Sequence, residues 1–238
     1  MTRRDEIAAG LAETEERIAA ACEAAGRSRK EITLIVVTKT HPASDVDILA
    51  ELGVTDVGEN RHPEAELKME ELHAMEADHV ATLPRLHFLG GLQTNKAGAV
   101  ARYADVVHSV DRVKLANSLS RGAEAAGRTL QCLIQVDFDA TDPGRSGVVP
   151  AGIPEIAAAI ATSEHLSLGG LMTVAPLGED PVPHFEHLVR LSAELRSDHP
   201  DATIVSAGMS ADFEAAIAAG ATHLRIGRSV LGVRASTR

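Results

Sequence analysis

The chain has 238 residues, 45% of them apolar and 2% aromatic, with a formal net charge of -11 and a mean hydropathy near zero. That composition describes a globular protein with one large α/β domain or two small ones and excludes disorder; the acidic balance and lack of stacking aromatics argue against nucleic acid and anionic membranes as partners. No stretch reaches the ~18 apolar residues of a membrane span, and the charged opening Met1-Thr2-Arg3-Arg4-Asp5-Glu6 is unlike a signal peptide, which points to the cytoplasm.

From the N-terminus, an amphipathic helix is predicted over about 4–24, followed by an apolar β-branched run at 32–38. Further strands are predicted at 56–59, 86–89, 105–110, 130–137, 166–172, 203–206 and 223–227. Helices near 44–52, 63–78, 94–102, 111–126, 151–163, 180–198 and 210–219 separate them. Gly53, Gly127 and Gly220 stand where helices should stop, and Asp111, Pro154 and Ser210 where helices should start. Eight such units consume the whole chain, so the reading is a single (β/α)8 TIM barrel domain over 1–238 with an extra N-terminal helix. A doubly wound sheet is the alternative, but no G-x-G-x-x-G or Walker A sequence follows the first strand. No linker, internal repeat or low-complexity tract is present.

Barrel chemistry gathers at the C-terminal ends of strands, and Lys39 follows the first of them directly. An amine delivered there by an apolar strand is poorly solvated, which lowers its pKa and makes it a Schiff-base candidate; the competing reading is a lysine that snorkels to solvent. An acidic chain must meet an anionic ligand with local donors. Gly208 and Gly227 permit close backbone approach, while Ser206, Ser210 and Ser229 offer hydroxyls, as in the phosphate sites that barrels build after strands seven and eight. The same residues also suit ordinary turns and caps. Arg225 needs an acceptor if buried: a carboxylate partner would make it structural, a cofactor ring nitrogen functional.

Other features read as surface or core. Asp137-Phe138-Asp139-Ala140-Thr141-Asp142 lacks the glycine and glutamate of a calcium loop, and His184 with His187 has no third metal ligand. The stretch from Glu64 to Glu76 reads as charged helix surface, and Cys22 and Cys132 as core residues.

Val37-Thr38-Lys39-Thr40, Gly58-Glu59-Asn60, the run His87-Phe88-Leu89-Gly90-Gly91-Leu92-Gln93-Thr94-Asn95-Lys96, His108-Ser109-Val110-Asp111-Arg112, Gly170-Leu171-Met172-Thr173, Gly208-Met209-Ser210-Ala211-Asp212 and Arg225-Ile226-Gly227 together are a set of motifs. In that order they closely resemble the YggS/PROSC family of pyridoxal 5'-phosphate homeostasis proteins, from about residue 4 to Gly232. The resemblance implies an alanine racemase N-terminal barrel whose strand-one lysine, here Lys39, holds pyridoxal phosphate as an internal aldimine. It further implies Asn60 beside the cofactor ring, Met209, Ser210 and Gly227 on the phosphate with Ser206 helping, and Arg225 facing the pyridine nitrogen. A cation there weakens the ring as an electron sink. Arg228 departs from the family's threonine or serine and adds a possible phosphate cation; Asp137 replaces an asparagine, and Arg145-Ser146-Gly147 a lysine-containing version.

Three functions are weighed. The first is a non-catalytic, monomeric protein that holds pyridoxal phosphate and passes it to apo-enzymes, as the resemblance implies. The second is a racemase-like enzyme, which needs a base on each face of the substrate carbon. This chain ends without the second domain that supplies one, and its sole tyrosine, Tyr103, precedes strand four, on the opposite face of the barrel. The third is a Schiff-base aldolase, for which no paired acid or second lysine is evident on neighbouring strands. The first is the expectation carried forward.

Overall fold

A computed structural model describes residues 1–75, 82–139, 146–176 and 178–232. Residues 76–78 of the helix predicted over 63–78, the Ala140-Thr141-Asp142 end of the acidic loop and Arg145 lie outside the described residues.

Eight parallel strands close into a barrel in sequence order: β1 (Thr33–Val37), β2 (Asp56–Glu59), β3 (Arg85–Phe88), β4 (Val106–Val110), β5 (Leu130–Gln135), β6 (Leu166–Met172), β7 (Ile204–Ser206) and β8 (His223–Ile226). Closure is made by β8 pairing with β1, with Ile35 opposite Arg225 and Val36 opposite Ile226. Between the strands run α2 (Ala43–Glu51), α3 (Glu64–Met75), α4 (Ala97–Tyr103), α5 (Val113–Ala125), α6 (Ile153–Ala161), α7 (Val182–Asp198) and α8 (Phe213–Ala219). A one-turn helix, α9 (Arg228–Leu231), follows β8.

The N-terminal helix, α1 (Arg3–Ala24), starts with a capping box in which Thr2 and Asp5 bond each other's backbone N–H. It packs on α2, α8 and α9, and so stands where the ring's eighth helix would be. The fit is close: a Cβ at Gly10 would meet the Val230 carbonyl oxygen at 2.5 Å. Arg3 ties the joint by a fork onto Asp45 of α2, Nε to Oδ1 at 3.1 Å and Nη2 to Oδ2 at 2.6 Å, and by a bond to the Leu231 carbonyl at 3.0 Å. Burial opposes ionisation of Asp45, but the Arg3 fork together with His41 outweighs it and holds the carboxyl below its ordinary pKa.

Strand side chains alternate between barrel axis and helical ring. Leu34 and Val36, Val57, Leu86 and Phe88, Val107, and Leu224 and Ile226 point outward into the main apolar core. Val106, Leu133 and Met172 make a smaller apolar cluster, with Ile204 packed on it. The buried polar residues include Asp56, His87, His108, Ser206 and Arg225, an unusual filling for a position normally given to Val, Ile and Leu. Both cysteines are buried core residues, and burial pushes the Cys132 thiol up to about 12.

Several element ends shift by one to three residues from the predicted bounds, two of them for evident local reasons. The turn at Met209 to Asp212 is held by the Asp212 carboxylate accepting the Met209 N–H at 2.6 Å, so α8 begins at Phe213 and not at Ser210. At the end of β5, Val136 leaves the strand to bridge Val148, so the pairing stops at Gln135.

Candidate functional site

Lys39 lies two residues past β1 and is exposed. This corrects the expectation of a desolvated amine at the end of a buried strand. The apolar burial stops at Thr38, and the chain then turns: His41 N–H bonds the Thr38 carbonyl at 3.0 Å, with Thr40 at φ 67°. A β-branched residue in the left-handed region is strained by about 1–3 kcal/mol, so the surroundings must hold this turn in place.

The outer wall supplies that hold. Thr38 is buried and donates its hydroxyl to Glu59 Oε1 at 2.8 Å. Lys68 of α3 donates to the Thr38 carbonyl at 2.8 Å and pairs with the same Glu59 oxygen. The stretch that reads as charged surface thus contributes one inward cation, and the second lysine near β1 stands paired behind the wall. Asn60 follows Glu59 and is half-buried; its backbone packs on Gly90, where a Cβ would meet the Asn60 oxygen at 2.0 Å.

Across the β1–β8 joint, Gly227 caps α9, and a Cβ there would meet the Val37 oxygen at 2.8 Å. Only glycine lets the two strand ends approach this closely. Gly227 is half-buried and Arg228 is exposed at the start of α9. The turn after β7 lies on the neighbouring strand end; Gly208 adopts φ 94° there, and Ser210 is half-buried. The Met209 N–H is taken by Asp212, so Met209 brings its side chain and not an amide donor to this turn.

Below these loops sits Arg225, 6% exposed. Its Nη2 donates to the Thr173 carbonyl at 2.8 Å and its Nη1 to Ser206 Oγ at 2.7 Å. Neither acceptor is a carboxylate, which removes the plain ion-pair reading raised by the sequence. Burial pulls the guanidinium down to about 10, still a cation at neutral pH, with Asp212 opposing the fall. Ser206 is wholly buried, with His108 Nδ1 at 3.0 Å as its second partner. Its hydroxyl is committed beneath the loops, which does not suit a direct anion donor.

His87 and His108 belong to the sequence motifs, but no role for them is legible there. Their rings meet edge to face, with Nδ1 of His87 2.8 Å from Nε2 of His108, and His87 Nε2 lies 2.8 Å from Asp56 Oδ1. Burial drives His108 well below the ordinary histidine range, with His87 and Arg225 adding to it. Burial opposes the charge on Asp56, but hydrogen bonds from His87 and Thr55 outweigh it and keep the carboxyl low.

Tyr103 ends α4 with its hydroxyl 3.4 Å from His62 Nδ1, in the loop after β2. Burial pushes its phenol far up, with Glu66 and Glu59 adding, so it is protonated at neutral pH. His184 and His187 face Phe138, the latter stacked at 4.8 Å between centroids, in a cleft of about 490 Å³ also lined by Val149 and Arg190. Among the described residues no group of three His, Cys, Asp or Glu side chains could hold a metal ion. No helix among them is long and apolar enough to cross a membrane.

Residues 11–235 match the family of the alanine racemase N-terminal domain. The pyridoxal phosphate homeostasis protein of Mycobacterium tuberculosis is 41% identical over 98% of this chain and 94% of its own. That of Escherichia coli is 36% identical over 97% of each. Among solved structures, PipY of Synechococcus elongatus with PLP bound aligns at a TM-score of 0.78 and 31% identity, covering 95% of this chain and 100% of that one.

Proposed function

The chain belongs to the family of pyridoxal phosphate homeostasis proteins, and from that premise we propose that it binds pyridoxal 5'-phosphate through a Schiff-base linkage to Lys39. In this reading it is a monomeric cytoplasmic protein that buffers vitamin B6 and releases the cofactor to apo-enzymes without robust catalysis of its own. The observation that carries the site is the β1–β8 joint. An exposed amine, a glycine cradle and a buried guanidinium converge there on two adjoining strand ends.

The residues fit the group. Once bound, the cofactor supplies an aldehyde for amine capture and a ring that withdraws electrons. Lys39 offers the amine in water, where capture and release are both open to exchange. The half-buried Ser210 hydroxyl, the backbone at Gly227 and the start of α9, and the exposed Arg228 guanidinium offer donors to a phosphate, in the arrangement barrels use after strands seven and eight. Met209 and Asn60 line the rim, and Ser206 acts from below by engaging Arg225. Arg225 presents a fixed cation to the floor, which disfavours a proton on any ring nitrogen set against it. That cation supports retention over turnover.

The test is titration with pyridoxal phosphate, borohydride reduction and mapping of the modified residue by mass spectrometry. A yellow adduct on Lys39 is expected, lost in Lys39→Ala with the circular dichroism unchanged. Arg228→Ala should weaken phosphate retention about threefold, as an exposed charge does. Equal affinity for pyridoxal and its phosphate, or an adduct on other lysines only, would overturn the assignment.

A further inference from the structure

Five side chains from five strands join in one hydrogen-bonded line through the barrel: Asp56 of β2, His87 of β3, His108 of β4, Ser206 of β7 and Arg225 of β8. The step from His108 to Ser206 joins β4 to β7, nonadjacent in the sheet, so the line crosses the barrel instead of following the wall. All five residues are buried.

The donor inventory allows one direction only when both rings are neutral and Asp56 is ionised. Arg225 can only donate, so Ser206 Oγ accepts, and the serine proton goes to its other partner, His108 Nδ1. The His108 proton is then on Nε2 and is given to His87 Nδ1. The His87 proton is likewise on Nε2 and is given to Asp56 Oδ1, whose second oxygen accepts from Thr55 at 2.7 Å. In that state the line is a cation and an anion held apart by three neutral groups, each polarised by the next.

We propose that His108 and His87 are positioning residues for Arg225: through Ser206 they hold its guanidinium as a donor beneath the mouth, with Asp56 as the remote counter-charge. This rests on the reading of Arg225 as the floor of a pyridoxal phosphate site. Reversing the line would put a proton on His108 Nδ1 and leave Ser206 between two donors, which loosens Arg225. Among the described residues, the other charged or titratable groups that act on the line are Arg85, His223 and Asp212. Burial above all, then His87 and Arg225, disfavours a second proton on His108, in keeping with the neutral form the direction requires.

The direction is read on the cofactor-free protein by long-range proton–nitrogen NMR of the histidine rings at pH 7. Both His87 and His108 should carry one proton, on Nε2; an imidazolium at either, or a proton on His108 Nδ1, overturns the proposal. Positioning is read by slow rotation of the Arg225 guanidinium, which should give separate Nη signals in wild type. These should merge in His108→Leu and in the smaller change Ser206→Ala, and return in His108→Gln, which keeps one donor and one acceptor. With pyridoxal phosphate, His108→Leu should bind about tenfold more weakly with a displaced absorption band, and His108→Gln should restore both. Unchanged Arg225 signals in both disrupting variants overturn the proposal, whatever the cofactor does. Loss of adduct in wild type would instead defeat the Lys39 site and leave the tautomers and Arg225 signals to judge the line.

Discussion

The barrel holds two buried charge arrangements whose acids, Asp56 and Glu59, share β2, and they are built in opposite ways. Glu59 and Lys68 touch, outside the sheet and beneath α3, with Thr38 completing the contact. Asp56 and Arg225 are separated by two imidazoles and a hydroxyl, inside the sheet. A contact pair spends both charges on each other and serves to fix backbone, here the Thr38 turn that presents Lys39. A separated pair leaves its cation free to direct further donors at a ligand, at the cost of needing every neutral link correctly protonated. The difference gives one a scaffold duty and suits the other to the ligand-facing duty proposed for Arg225.

The largest break in this comparison is Lys68→Met, which strands a carboxylate that is 2% exposed. It should cost about 3–5 kcal/mol by urea denaturation, and Glu59→Leu in the same chain should recover most of that.

Acid tests the interior next. Burial holds His223 down at about 4, with His87 adding, against about 6.5 for a free histidine. The unfolded chain therefore binds a proton between those values that the folded chain refuses, so stability is full above pH 6.5 and falls as pH drops toward 4. The expected loss is about 3 kcal/mol from His223, measured as the denaturation midpoint against pH, with buried His108 acting in the same direction. Constant stability across that window would show that these imidazoles are not excluded from solvent.

Asp56→Asn is the mildest and the most specific. It removes the anion but keeps the shape, and should cost about 2 kcal/mol, as for a hydrogen bond to a charged group. The Thr38 turn should be unaffected, because the outer pair does not share an atom with the line.

Much of this architecture was legible. Strands 56–59 and 166–172 are found at the predicted residues, and the barrel class followed from eight apolar runs spaced by helical stretches. The glycines at 53, 127 and 220 end helices at positive φ, because few other residues adopt that geometry cheaply. The polar interior was not legible. Barrel strands are buried on both faces, so their sequences lack the alternation that would tell Val107, facing the helices, from His108, facing the axis. Contacts such as His108 with Ser206, 98 residues apart, are set by closure of the ring. Lys68 was hidden for a related reason: six of the twelve residues of α3 are charged or histidine by sequence, and only the placement of Glu59 selects the one that turns inward. Lys39 was singled out by position alone, and its exposure depends on a strained Thr40 that no local propensity announces.

The clasp between α1 and α9 has a consequence for how the chain is made. Arg3 and Leu231 share a hydrogen bond across 228 positions, and β1 lacks one neighbour until β8 arrives. β1 and α1 therefore have their full set of neighbours only once the segment at 223–231 has been made. Joining them is a contact of high sequence separation, the kind whose loop-closure entropy slows folding.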